Sequence, residues 1–440
     1  MTSFWRCLNK QLLPNITRVI IDFNEAEIEP HHSRDIVYDL AGPAILLEEY
    51  KAQLIDLSIH TTEVTKPARN LAEHFVPALK NLRSLRRVEM NNWVLSPQFF
   101  PCGIGPIDSG RMLIAAAGTL ENLVELDLED FTCGIDTIVQ AQVVRLDNMQ
   151  VPSVFILRLL QMRPAKLTTL DIGSCTLCFD GSSHISKESV YKNIWRELGC
   201  HPTLEYLAIR CEDGNFPRGI LKAPALKTVI LFVSDMVSTR TEELFAAELR
   251  SPNSSVETVK IQPINEISET SAHRLVTIMC AALENANIKD LTLGGRSGIV
   301  HSDVAFSLLM RQLCCNKTLL SLSAWPSWRY KKKANIETNH LALQKVLARN
   351  FTLEKLNIEF SAESTALCGM VVRLNKAGRK YITDESTNTK KNGVKCLQSI
   401  IETHQGLNTT AYYDTDYPYD ETLSCLFYHL RENAPVFFGS

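Results

Sequence analysis

The chain has 440 residues, of which 45% are hydrophobic and 22% charged, the composition of an ordinary soluble globular protein. A net charge of −3 speaks against a dedicated nucleic-acid binder, which would be strongly basic. No apolar run reaches the ~18–20 residues of a membrane span, and the opening Met-Thr-Ser-Phe-Trp-Arg-Cys-Leu-Asn-Lys is too polar for a secretory signal, so an intracellular setting, cytoplasmic or nuclear, is expected.

Residues 1–15 are expected to form an N-terminal cap over the first strand, because an open sheet edge invites pairing with other chains. From Ile16 onward the pattern Leu-x-x-Leu-x-Leu recurs. Its clearest copies are Leu123-Val-Glu-Leu126-Asp-Leu128, Leu167-Thr-Thr-Leu170-Asp-Ile172, Leu204-Glu-Tyr-Leu207-Ala-Ile209 and Leu353-Glu-Lys-Leu356-Asn-Ile358. The last two apolar residues are two positions apart and so share one face of a short strand. Copies start at Ile16, Leu54, Leu85, Leu123, Val143, Leu167, Leu204, Leu226, Val256, Ile288, Leu319 and Leu353, at uneven intervals of 20 to 38 residues. Between copies the apolar period becomes helical, as in Ala272–Leu283, in His301–Leu313 with Val304, Leu308, Met310 and Leu313 on one stripe, and in Leu341–Arg349. The junctions His201-Pro-Thr-Leu204, Asn316-Lys-Thr-Leu319 and Asn350-Phe-Thr-Leu353 place a residue tolerant of turn geometry at the helix end. Helix, turn and strand in repetition predict an α/β solenoid.

These strands and the Asn-x-Thr-Leu junctions resemble the ribonuclease-inhibitor-type leucine-rich repeat proteins over residues 16–360. Val371–Arg379 and Leu423–Arg431 resemble the C-terminal ends of algal repeat proteins of that type, whose activity is uncharacterised. The resemblance implies a horseshoe of about twelve irregular repeats, with a parallel sheet on the concave face, helices on the convex face and helical caps. The expected organisation is a cap over 1–15, repeats over 16–360 and a C-terminal helical cap over 361–440. That cap carries a polar loop at 383–393 and helices near 394–404 and 420–432. Ser96–Pro106 is expected to project from the third repeat.

Chemistry-bearing motifs are sparse. The chain has no Gly-x-x-x-x-Gly-Lys-Ser/Thr loop, no Gly-x-Ser-x-Gly elbow and no His-Glu-x-x-His pair. Cys175-Thr-Leu-Cys178 lacks the second close pair that a zinc site uses, and His31-His32 falls in a polar turn. Cys178-Phe-Asp180 and Cys211-Glu-Asp213 put an acid near a thiol, which opposes thiolate formation. The thirteen scattered cysteines read as free thiols in a reducing compartment, with Cys280, Cys314, Cys396 and Cys425 inside helical stripes. The sequons at Asn15, Asn253, Asn316, Asn350 and Asn408 are read as chance. No catalytic residue, metal or cofactor is expected.

Function is therefore expected on the surface. Residues two, four and six places after each motif start should face outward, and their middle column reads Glu89, Asp127, Asp147, Asp171, Ala208, Ile230, Lys260. Its acids would steer a basic protein partner, flanked by Arg87, Arg145, Glu125 and Glu129. Tyr206, Ile230, Phe232 and Trp325 would be exposed apolar anchors. Arg329-Tyr-Lys-Lys-Lys333 is a basic run suited to an acidic or phosphate-rich partner. The expected function is a non-enzymatic scaffold or adaptor that binds proteins on the concave sheet. The alternatives are a ubiquitin-ligase substrate-recognition subunit, which would carry an F-box, and a Ran-type GTPase-activating protein, which would carry an acidic tail.

Overall fold

The computed structural model describes residues 15–22, 38–39, 41–60, 68–69, 74–91, 116–129, 141–147, 149–161, 166–178, 187–211, 217–234, 240–251, 254–294, 298–327 and 334–358, with Cys368, Gly369, Val372 and Asn375. The N-terminal cap up to residue 14, His31-His32, the loop 96–106, the run Arg329–Lys333, the loop 383–393 and the helices near 394–404 and 420–432 lie outside them.

The chain divides into two compact units, residues 1–210 with 218–227 and residues 211–217 with 228–440. Each unit is α/β, with parallel strands in its large sheet. In the first unit the elements are β1 (Arg18–Asp22), β2 (Tyr38–Asp39), α1 (Ala41–Tyr50), β3 (Asp56–His60), β4 (Ala68–Arg69), α2 (Val76–Lys80), β5 (Arg87–Asn91), β6 (Glu125–Glu129), β7 (Val143–Asp147), β8 (Gln150–Pro152), α3 (Ser153–Gln161), β9 (Thr169–Ile172), β10 (Thr176–Cys178), α4 (Lys187–Gly199) and β11 (Tyr206–Cys211). Here the large sheet runs β1-β3-β5-β6-β7-β9-β11, while β8 with β10 and β2 with β4 form two small parallel pairs. In the second unit β12 (Thr228–Val233), α5 (Arg240–Leu249), β13 (Thr258–Pro263), α6 (Glu269–Glu284), β14 (Asp290–Leu293), α7 (Asp303–Cys315), β15 (Ser321–Ala324), α8 (Ile336–Arg349) and β16 (Lys355–Asn357) alternate strand with helix. The strands run in chain order and α5 to α8 pack each on the next.

Burial explains the motif. Its three apolar positions are buried in copy after copy: Leu54, Leu57 and Ile59; Leu167, Leu170 and Ile172; Leu204, Leu207 and Ile209; Leu319, Leu322 and Ala324. Each fully buried aliphatic side chain contributes roughly 1.5–3 kcal/mol relative to exposure. The alternate residues stay half-exposed, as Glu125 and Asp127 do beside Leu126 and Leu128.

A second regularity is in the backbone. After most motif starts the first two N–H groups reach one carbonyl a repeat earlier. Ile55 and Asp56 donate to Thr17 O at 2.8 and 3.1 Å, Val124 and Glu125 to Arg86 O at 2.7 and 2.9 Å, and Leu320 and Ser321 to Lys289 O at 2.8 and 2.9 Å. This ladder corrects one motif copy. Gln142 and Val143 are the pair that donates to Val124 O, so the copy begins at Ala141, two residues before Val143. Ala141 is fully buried but small, and an alanine in the first leucine position carries too little apolar signal to mark the start.

The junction asparagines work differently from the turn-tolerance reading. Asn285, Asn316 and Asn350 are buried and have extended backbone, with φ of −88°, −77° and −98°. Their amides reach back one repeat. Asn285 Nδ2 donates to Leu249 O at 2.6 Å, Asn316 Nδ2 to Leu283 O at 2.7 Å, and Asn350 Nδ2 to Leu313 O at 3.0 Å and Asn316 O at 2.9 Å. Their Oδ1 atoms accept from the following turn, as from Thr318 and Leu319 N at 3.0 and 2.7 Å. Asn375 continues the series onto Leu353 O at 2.8 Å. One side chain thus satisfies helix-end carbonyls and strand-entry N–H groups together. The sequons at Asn316 and Asn350 are therefore occupied by the fold itself.

The N-terminal ends of the later helices are capped. Ser302 Oγ accepts from Ala305 N at 3.2 Å and Asn335 Oδ1 from Thr338 N at 3.1 Å, with Asp303 and Glu337 in the first turns. Starting α7 at Asp303 turns its stripe to Ala305, Phe306, Leu309, Met310 and Leu313, leaving Val304 68% exposed and Leu308 intermediate.

Candidate functional site

The solvent-facing sheet rows of the first unit carry charges of both signs. The first row holds Arg18, Asp56, Arg87 and Glu125 on successive strands, in register. Arg18 Nε lies 3.3 Å from Asp56 Oδ2, Arg87 Nη1 3.8 Å from the same oxygen, and Arg87 Nε 3.7 Å from Glu125 Oε2. Arg87 Nη2 also meets Glu89 Oε2 at 3.1 Å, an oxygen that accepts from Ser58 Oγ at 3.1 Å. Arg145 Nη1 pairs with Glu125 Oε1.

The middle row differs from the sequence expectation at one position. Glu89 pairs in register with Asp127, Asp127 with Arg145, and Arg145 with Asp171, followed by Ala208. Asp147 belongs to the next row, opposite Glu129. The cause is the start at Ala141. A two-residue slip keeps every side chain on its face but moves it one row along the strand. The unbroken acidic column becomes acid, acid, arginine, acid.

Arg145 relieves but does not neutralise this row. Asp127, Asp147 and Asp171 form no ion pair. Burial holds the Asp127 carboxyl above its ordinary range, opposed by Arg145 and reinforced by Glu89. Burial also raises Asp171, opposed by hydrogen bonds from Gly173 N at 3.2 Å and Tyr206 Oη at 3.4 Å. Asp147 is exposed and accepts from Ser174 Oγ. Over the described side chains of these rows, six carboxylates (Asp56, Glu89, Glu125, Asp127, Asp147, Asp171) face four arginines (Arg18, Arg87, Arg145, Arg210), so the face is net acidic.

The apolar anchors separate. Tyr206 is half-exposed, and burial followed by the Asp171 charge pushes its hydroxyl up to about 12. Phe232 is half-exposed and Trp325 is 40% exposed. Ile230 is 8% exposed, which removes it as an anchor; it lies on the face of β12 opposite Val229, Leu231 and Val233 but is covered there. Parity put Ile230 on the outer face, but its accessibility is set by neighbouring bulk, which parity does not reveal.

Thiol chemistry finds little support. The Cys175 thiol is buried, donates to Leu146 O at 3.0 Å and is pushed up to about 12, chiefly by burial. Burial also raises Cys211, and lifts Cys280 to about 11 and Cys368 to about 12. Among the described residues no group of three His, Cys, Asp or Glu side chains is placed to hold a metal ion, and no helix is long and apolar enough to cross a membrane. A shallow open groove of about 480 Å³ lies at the strand-entry edge of the first unit, among Gln142, Lys166, Thr168, Thr203 and Glu205.

No protein-family model matches the chain, and no curated protein matches it either.

Proposed function

We propose that this protein is a non-enzymatic interaction scaffold, a leucine-rich-repeat solenoid whose outward sheet rows receive protein partners. Chain-order parallel strands, the triplet of buried leucine-type residues and the asparagine ladder support the solenoid reading. The observation that carries the function is the surplus of carboxylates on the first unit. Asp127, Asp147 and Asp171 form no ion pair although Arg145 stands in register between Asp127 and Asp171. Burying part of a carboxylate without a cation costs stability, so a complementary basic surface has a thermodynamic reason to dock there. Tyr206 adds a half-exposed ring beside Asp171.

The test is affinity capture from cell extract with the wild-type chain and with Asp127→Lys/Asp147→Lys. The wild type should retain specific proteins that rising salt releases, since charge contacts between exposed groups are screened. The variant, folded by circular dichroism, should lose them. An identical set of captured proteins for both chains would reject the acidic face as the docking surface.

A further inference from the structure

The second unit presents a different surface. Its outward rows read Thr228, Thr258, Asp290, Ser321 and Lys355; then Ile230, Lys260, Thr292, Ser323 and Asn357. A third row begins with Phe232 paired to Gln262. It continues through Gly294, whose N–H bonds Ile261 O at 2.8 Å, to Trp325, whose N–H bonds Leu293 O at 2.9 Å. Hydroxyl and amide groups pave this face, two aromatic rings stand at its ends, and Lys260 is central.

Two features make it a built surface. Lys260 is half-exposed and forms neither an ion pair nor a hydrogen bond; Asp290, on the neighbouring strand, lies beyond ion-pair reach. Its cation is available to a ligand. The gap beside Trp325 is also enforced. Gly294 has φ 95°, and a Cβ there would come within 3.0 Å of Trp325 Cβ. The Trp325 backbone is held from both sides, since its carbonyl accepts from Ile299 N at 2.8 Å. The ring is therefore exposed from a fixed base.

We infer that this face binds an extended peptide with an acidic residue between two apolar ones, in the pattern apolar-x-acidic-x-apolar. Phe232 and Trp325 stand three strands apart, about 14 Å at sheet spacing. In an extended chain residues i and i+4 are about 13 Å apart and face the same way, with i+2 midway between them. The outer two meet the rings and the middle one meets Lys260. The Thr, Ser and Gln groups supply donors and acceptors for the peptide backbone. The charge complement is opposite to that of the first unit, so this surface stands or falls separately from the acidic face.

The test uses fluorescein-labelled, end-capped peptides Gly-Ser-Leu-Thr-X-Thr-Leu-Ser-Gly, with X as Glu, Gln, Lys or phosphoserine, and versions with Phe or Tyr for both Leu. Anisotropy titrations use the full-length protein. The Glu or phosphoserine peptides should bind saturably, with Gln weakened roughly fivefold or more and Lys not bound. Trp325→Ala and Lys260→Met should each weaken binding by about fivefold or more, and Lys260→Glu should reverse the preference toward the Lys peptide. Both side chains are solvent-facing, and unchanged melting temperatures would show that the variants fold. Absence of saturable binding by every acidic peptide at about 1 mM, or binding indifferent to Lys260→Met, would overturn the inference.

Discussion

The side-chain amide of Asn350 donates to the backbone oxygen of Asn316 at 2.9 Å, while Asn316 makes the equivalent reach to Leu283 O at 2.7 Å. Each asparagine ties its own strand entry to the helix end before it. Asn350→Leu keeps the volume but strands the carbonyls of Leu313 and Asn316 and the N–H groups of Thr352 and Leu353. A buried unsatisfied group costs about 1–3 kcal/mol. Partial relaxation should leave a net loss of about 3 kcal/mol in urea unfolding. A loss below about 1 kcal/mol would mean that water or backbone shifts replace the ladder.

Ile230 and Phe232 share a strand face but should respond differently. Ile230→Ser removes a covered side chain and introduces a hydroxyl, so a loss of about 2–4 kcal/mol is expected. Phe232→Ser should cost less than half as much. Equal destabilisation in chemical denaturation would show that Phe232 is also covered.

Asp127 should cost stability at neutral pH. Its folded carboxyl titrates above the unfolded value because burial disfavours the charge. The folded state then holds its proton more tightly. The penalty is absent below the ordinary carboxylate value of the unfolded chain and is complete once pH has risen past the raised folded value. Asp127→Asn should therefore raise the melting temperature at pH 7 and leave it nearly unchanged at pH 3. A lower melting temperature at pH 7 would show that attraction to Arg145 outweighs desolvation.

Arg145 stands in register between Asp127 and Asp171 and pairs with Glu125. Arg145→Met should raise the carboxyl titrations of both aspartates, followed by NMR. Because Arg145 is 42% exposed, the stability loss should stay near ~1 kcal/mol or less and shrink with salt. Titrations that fail to move would place its charge effectively in solvent.

Gly298 adopts φ 62°, and a Cβ there would lie 2.6 Å from Pro326 C and Ser327 N. Backbone cannot step aside as a side-chain tip can. Gly298→Ala should cost about 1–3 kcal/mol and disturb the segment that fixes Trp325. Wild-type stability in thermal melts would show that the turn can be rebuilt cheaply.

The strand starts were legible because a two-residue period and a buried apolar triplet are local properties of the chain. The motif starts at Leu54, Leu85, Leu123, Leu167, Leu204, Ile288, Leu319 and Leu353 coincide with the backbone ladder, and Ala141 escaped because a small residue fills a leucine slot without an apolar signal. Even there the outward face was right, since a shift of two residues preserves parity. Sequence thus determined the α/β class, the strand positions and which side chains face out. Tertiary structure alone decided that Arg145 interrupts the acids, that Ile230 is covered while Phe232 is not, and that the junction asparagines bond carbonyls some thirty residues away. Register, accessibility and long-range hydrogen bonds depend on which segments become neighbours, and no local pattern carries that information.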